Sequence, residues 1–205
     1  TSPLRIDERV LHHLAGLDVM DERLAGFVEL VPSPEPLPPS QDTAAERIAA
    51  MLTARAEGPP PVAVLAGPDA DARRAVAAAA CTRLGLRLCA IAAGDVPAQA
   101  VERAALARLW EREAILGGGG LVIEVDDRLE PESLRSVAAF AEATRVVVLI
   151  SAREPVPLHR RIAVQVEVAR PSPPEQRRLW QEAIGPRVAE LNGSLDALVS
   201  YFDLG

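Results

Sequence analysis

From residue 41 onward the apolar positions alternate between two rhythms. The stretches "TAAERIAAMLTARAE", "DARRAVAAAACTRLG", "PAQAVERAALARLWEREAIL" and "PESLRSVAAFAEA" place apolar residues every three or four positions, the period of a helix with one buried face. Between them lie short, continuously apolar runs, "PVAVLAG", "LRLCAIAA", "LVIEV", "RVVVLIS" and "AVQVEV". Such runs are strands buried on both sides, and their alternation with amphipathic helices predicts a parallel sheet covered on both faces. The expected fold is therefore α/β, a three-layer αβα sandwich around a five-stranded parallel sheet.

The flanks differ from this core. In residues 4–30, Ile6, Val10, Leu11 and Leu14, then Val19, Leu24, Phe27 and Val28 after a break near Gly16, fall at helical spacing. This predicts a short amino-terminal helical module over 1–30. Residues 31–40, "VPSPEPLPPS", hold five prolines in ten positions and read as an extended linker. The sandwich is expected over 41–171. Residues 172–205 are helical twice over, interrupted at Gly185-Pro186, and read as the start of a helical lid that continues past residue 205.

Composition narrows the function classes. Twenty-nine acidic against 22 basic residues give a net charge of -7, which argues against a surface that tracks nucleic acid. No apolar run approaches the roughly 20 residues of a spanning helix, and "TSPLRIDERV" is too charged for a signal peptide, so no membrane and a cytoplasmic location are expected. Cys81 and Cys89 sit in apolar segments and read as reduced core residues. His12, His13 and His159 lack the neighbours of a zinc site. Every basic residue is arginine; lysine is absent. The Gly117–Gly120 run precedes a strand and reads as a connecting loop.

The candidate chemistry lies after the first strand. A phosphate loop runs G-x-x-x-x-G-K-[ST] between strand and helix: backbone N–H groups cradle phosphate, Lys neutralises it and the hydroxyl holds magnesium. Aligned on Gly67, this chain reads Gly67, Pro68, Asp69, Ala70, Asp71, Ala72, Arg73, Arg74. Ala72 replaces the second glycine, Arg73 the lysine and Arg74 the hydroxyl residue. Asp69 and Asp71 place carboxylates where an anion would enter, and either can cap the following helix. The loop is expected to bind nucleotide weakly or not at all.

With "VAVLAGPDADARR", "LVIEVDD", "VVVLISAREP", "PLHRR" and "ARPSPPEQRRLWQEAI" in that order, residues 41–205 resemble an AAA+ ATPase module. The amino-terminal "LRIDERVLHHLAGLDVMDERLAG" and the final "FDLG" resemble the AAA+ ATPases of bacterial contractile injection systems, whose first module is commonly degenerate. The resemblance implies ATP or ADP with magnesium as cofactors, and a second AAA+ module or other AAA+ subunits as partners. In the family an Asp binds magnesium at the end of the third conserved strand and the next residue, Glu, activates water. "LVIEVDDRL" admits two registers: Asp126 on the metal with Asp127 as base, or Glu124 on the metal with Val125 in the base position and Asp127 as the trailing acid. Asp126 and Asp127 also read as a cap of the helix beginning near Pro131 or as acids facing solvent. The polar sensor falls at Ser151 or Arg153, and Arg160 and Arg161 stand where the family keeps arginine fingers acting in trans.

Three readings follow: a non-catalytic module of a larger tandem ATPase in protein remodelling or assembly, an active Mg-ATPase using Arg73 with Asp126 and Asp127, or an interaction platform acting through the amino-terminal helices.

Overall fold

The computed structural model describes residues 6–17, 19–32, 36–54 and 58–185. Its sheet has strands β1 (Val28–Leu30), β2 (Val62–Ala66), β3 (Arg87–Ala92), β4 (Gly119–Glu124), β5 (Val148–Ala152) and β6 (Ala163–Glu167) in the order β1-β3-β4-β5-β2-β6. The strands from β2 to β6 pair in parallel, with Ala63 opposite Leu149 and Val64 opposite Gln165. β1 pairs antiparallel to β3, with Glu29 opposite Ala90. The expectation of five parallel strands is thus corrected to a six-stranded mixed sheet.

The added strand lies in the segment expected to be helical. Helix α1 (Glu8–Leu14) forms as predicted, capped by the Asp7 carboxylate on the Arg9 amide. The second helix does not: residues 22–27 make turns, and Gly26 takes φ +90°, which helix geometry forbids and which glycine tolerates. Leu24 and Val28 are buried as their spacing implied, but Phe27 is exposed. A run of turns can bury residues four apart as a helix does.

Alternate strand residues face two separate cores. Helices α4 (Ala100–Gly117) and α5 (Pro131–Ala143) cover one face, where Trp110 and Phe140 pack on Ile91, Ile123 and Ile150. Helices α2 (Pro39–Thr53) and α3 (Ala70–Arg83) cover the other, where Ala77–Ala80 and Ile48 meet Leu65, Ala90 and Leu149. Small α3 side chains let the helix lie close to the sheet. Cys81 and Cys89 are buried free thiols, pushed up by that burial to about 12 and about 11. Gly117 ends α4 and Gly118 caps it in the left-handed region, while Gly119 and Gly120 already belong to β4, so the expected glycine loop is shorter than its run.

Helix α6 (Pro173–Ile184) starts with a capping box of Ser172 and Glu175. The second half of the expected lid, beyond Gly185, lies outside the described residues. No helix among the described residues is long and apolar enough to cross a membrane.

Candidate functional site

The chain leaves β2 at Gly67 beneath the segment that leaves β6. The Val168 amide donates to the Ala66 carbonyl at 2.7 Å, and a Cβ on Gly67 would stand 2.2 Å from the Val168 carbonyl oxygen. Close approach of two backbones therefore requires this glycine, whether or not a phosphate comes near. Pro68, Ala70 and Asp71 are exposed. Asp69 is the N-cap of α3, and its Oδ1 accepts from the amides of Asp71 (2.9 Å) and Ala72 (3.1 Å). Those are amides a bound anion would need. Ala72 is buried in the α2/α3 core, which explains a methyl at that position.

Arg73 turns inward. Only 4% exposed, it donates from Nε to the Ser151 hydroxyl at 2.9 Å and from Nη1 to the Gly67 carbonyl. Its guanidinium spans from the loop to the end of β5. Burial lowers its pKa, opposed by Asp127, Asp69 and Glu124, and an arginine keeps its proton under such a load.

Arg74 joins two carboxylates. Its Nη1 donates to both oxygens of Glu124 at 3.1 and 3.0 Å, and its Nη2 pairs with Glu29 on β1. The bond to Glu29 raises the Arg74 pKa against burial. Burial raises the Glu124 pKa, with Arg74 pulling it down and Glu29 adding to the rise.

The remaining candidates disperse. Asp126 Oδ1 accepts from the Arg128 amide at 2.8 Å and so closes a turn after β4. Asp127 pairs with Arg153 at 3.0 Å, both exposed. Among the described residues no three His, Cys, Asp or Glu side chains converge as a metal site. Arg160 has an exposed side chain, and its amide donates to Glu142. Arg161 is committed within the chain, donating to the carbonyls of Pro60, Ala141, Thr144 and Val146. Such a guanidinium cannot reach a neighbouring subunit without dismantling this clamp. A cavity of about 1200 Å³ opens between α5 and the segment after β5, lined by Asp126, Asp127, Arg135, Arg153, His159 and Arg160 among others. It includes no residue of Gly67–Arg74.

Magnesium-nucleotide does not fit this arrangement. The hydroxyl position is a cation, the β4 carboxylate already holds that cation, the helix amides are capped by Asp69, and the residue in the lysine position bonds to the protein. Sequence reasoning missed Glu29, whose "VEL" setting just after Gly26 is the signal for a short strand rather than a helix.

Residues 172–205 match the family model of the contractile injection system ATPase helical domain. The structure describes residues 172–185 of that segment. The match supports an ATPase-family module associated with contractile injection systems. No curated protein matches the chain. Among solved structures it is similar to Trip13 of Rhizobiales, at 14% identity over 96% of this chain and 78% of that one, with a TM-score of 0.47. It is also similar to a chain of the HORMA:CdnC:Trip13 complex of E. coli MS115-1, at 14% identity over 96% and 77%, with a TM-score of 0.44. At such scores neither likeness bears on the chemistry of this chain.

Proposed function

We propose that this chain is a non-catalytic AAA+ module of a larger contractile injection system ATPase, serving protein remodelling or assembly through a second AAA+ module or neighbouring AAA+ subunits. The observation that carries this reading is the Arg74 guanidinium held by Glu124, at the place where a loop hydroxyl and a strand carboxylate would share magnesium. Inward-facing Arg73 and the Asp69 cap favour the same conclusion. The match over residues 172–205 supports the family half of the proposal. Asp126 and Asp127 are engaged in a turn and a surface ion pair, which speaks against their use as metal ligand and base.

Isothermal titration of the chain with ATP and ADP, with and without magnesium, tests this. The expected result is weak or undetectable binding, unchanged by magnesium. Tight, magnesium-enhanced binding that disappears in Arg73→Ala would overturn it.

A second reading, the interaction platform, is favoured by the exposed apolar side chains Ile6, Leu11, Leu14, Leu17, Phe27 and Leu30 of the amino-terminal segment. On that reading Leu14→Asp removes binding to the partner module while leaving thermal stability unchanged.

A further inference from the structure

The amino-terminal segment is fastened at two places. At one, Arg9 makes a buried bidentate pair with Glu113 of α4, at 2.7 and 2.8 Å, while Arg112 joins Asp7 and Asp21. These contacts fasten the segment to α4. At the other, β1 adds its three residues to the edge of β3, and Glu29 reaches Arg74. Three elements distant in sequence thus meet in one ion chain: Glu29 from β1, Arg74 from α3 and Glu124 from β4.

Three residues of antiparallel edge are a weak attachment by themselves, since isolated short strands are marginal. The ion chain adds to them where the loop begins its helix. A guanidinium between two carboxylates satisfies both, whereas loss of Glu29 leaves Arg74 held by Glu124 alone.

We infer that β1 is a strap tied to the start of α3: its docking on β3 and the bridged position of Arg74 between Glu29 and Glu124 are one coupled state, and release of the strand takes away one of the two acids that hold Arg74. This rests on the reading above in that no metal competes for Glu124. The loop then reports the position of the amino-terminal segment. Coupling of this kind is reciprocal, so a change at Arg74 must loosen β1 as a change at Glu29 loosens Arg74.

Both directions are measurable on the full chain. In hydrogen exchange, Arg74→Gln is expected to speed exchange of the amides of residues 28–31 about 1.5- to fivefold, the range for one partly exposed ion pair. The Val31 amide, which donates to Leu88 at 2.9 Å, is the sharpest probe. Exchange in α2 and α5 should stay unchanged, and Arg74→Lys should restore part of the protection. The reciprocal arm uses Glu29→Gln, an exposed edge position at which the fold is not at risk. Phenylglyoxal labelling of Arg74, mapped by mass spectrometry in a chain with no lysine, should accelerate severalfold in that variant. Unchanged exchange at 28–31 in Arg74→Gln, or unchanged labelling of Arg74 in Glu29→Gln, overturns the strap. Neither readout depends on nucleotide, so tight ATP binding by the wild type would defeat the proposed function and leave these two arms to decide the strap independently.

Discussion

Two pairs of adjacent arginines stand at opposite ends of the paired strands β2 and β6, one in the first turns of α3 after β2 and one in the turn before β6, and the fold treats their members differently. At the start of α3, Arg73 is buried against Ser151 and Gly67 while Arg74 lies partly exposed between two acids. In the turn before β6, Arg161 is buried among four carbonyls while Arg160 points to solvent. In each pair one guanidinium replaces a backbone partner that the connection lacks. The difference is in the other member: Arg74 has acids supplied by β1 and β4, and Arg160 has none within the described residues. Adjacent charges of one type are therefore not one functional unit. Local burial separates them.

The largest test of this comparison is Arg161→Met. It removes every donor from a buried cluster of carbonyls and should cost on the order of 3 kcal/mol, a fall of roughly 6–12 °C in thermal midpoint for a chain of this size. A fall of under about 2 °C would show that water replaces the clamp. Next is Arg73→Ala, which strands the Ser151 hydroxyl and the Gly67 carbonyl and should cost about 1–2 kcal/mol in denaturant titration. Smaller still is Arg160→Ala, expected to fall within about 0.5 kcal/mol of wild type. With stability unchanged, that variant isolates any trans role: ATPase activity of the assembled complex should stay at the wild-type level unless Arg160 reaches a neighbouring nucleotide.

Acid sharpens the comparison from the amino-terminal side. Hydrogen bonding from Arg23 leads the effects that hold the Asp21 carboxyl down at about 2, against the cost of burial and with Arg112 assisting. A depressed carboxylate stabilises the folded form above its ordinary value of 3.8, and that contribution is lost as pH falls through about 2. Pepsin cleavage within residues 6–30 should therefore rise between about pH 4 and pH 2, while Asp21→Asn should be cleaved readily across the whole window.

Much of the sandwich was legible because its strands are short apolar runs and its helices carry one apolar face. Helix α5 appears over the predicted residues, and β6 over all but the last. The strand at Val28–Leu30 was hidden by Leu24, Phe27 and Val28, whose spacing imitates a helix, although Gly26 stood among them. At the site, replacement of the lysine and hydroxyl positions was plain in the sequence, and so was Asp69 as a cap. The destinations of the arginines were not. Where Arg73 and Arg161 point is set by carbonyls brought near only when β5, β6 and α5 assemble, and residue type carries no record of that. The acidic motif had two registers; Glu124 is the acid opposite Ser151 in the parallel ladder and the one beside Arg74.

The capping box of α6 reaches further than its own helix. Glu175 accepts from the amide and hydroxyl of Ser172, at 2.8 and 2.7 Å, and also from those of Ser40, at 2.7 and 3.1 Å. Burial pulls its pKa up, but the Ser172 hydroxyl, the two amides and the Ser40 hydroxyl outweigh it and bring the carboxyl to about 2. A single proton on that oxygen pair would be felt at the openings of α2 and α6 together, 135 residues apart in the chain. Near neutrality the carboxyl keeps its charge, and the first turn of the matched helical segment stays pinned to the sandwich.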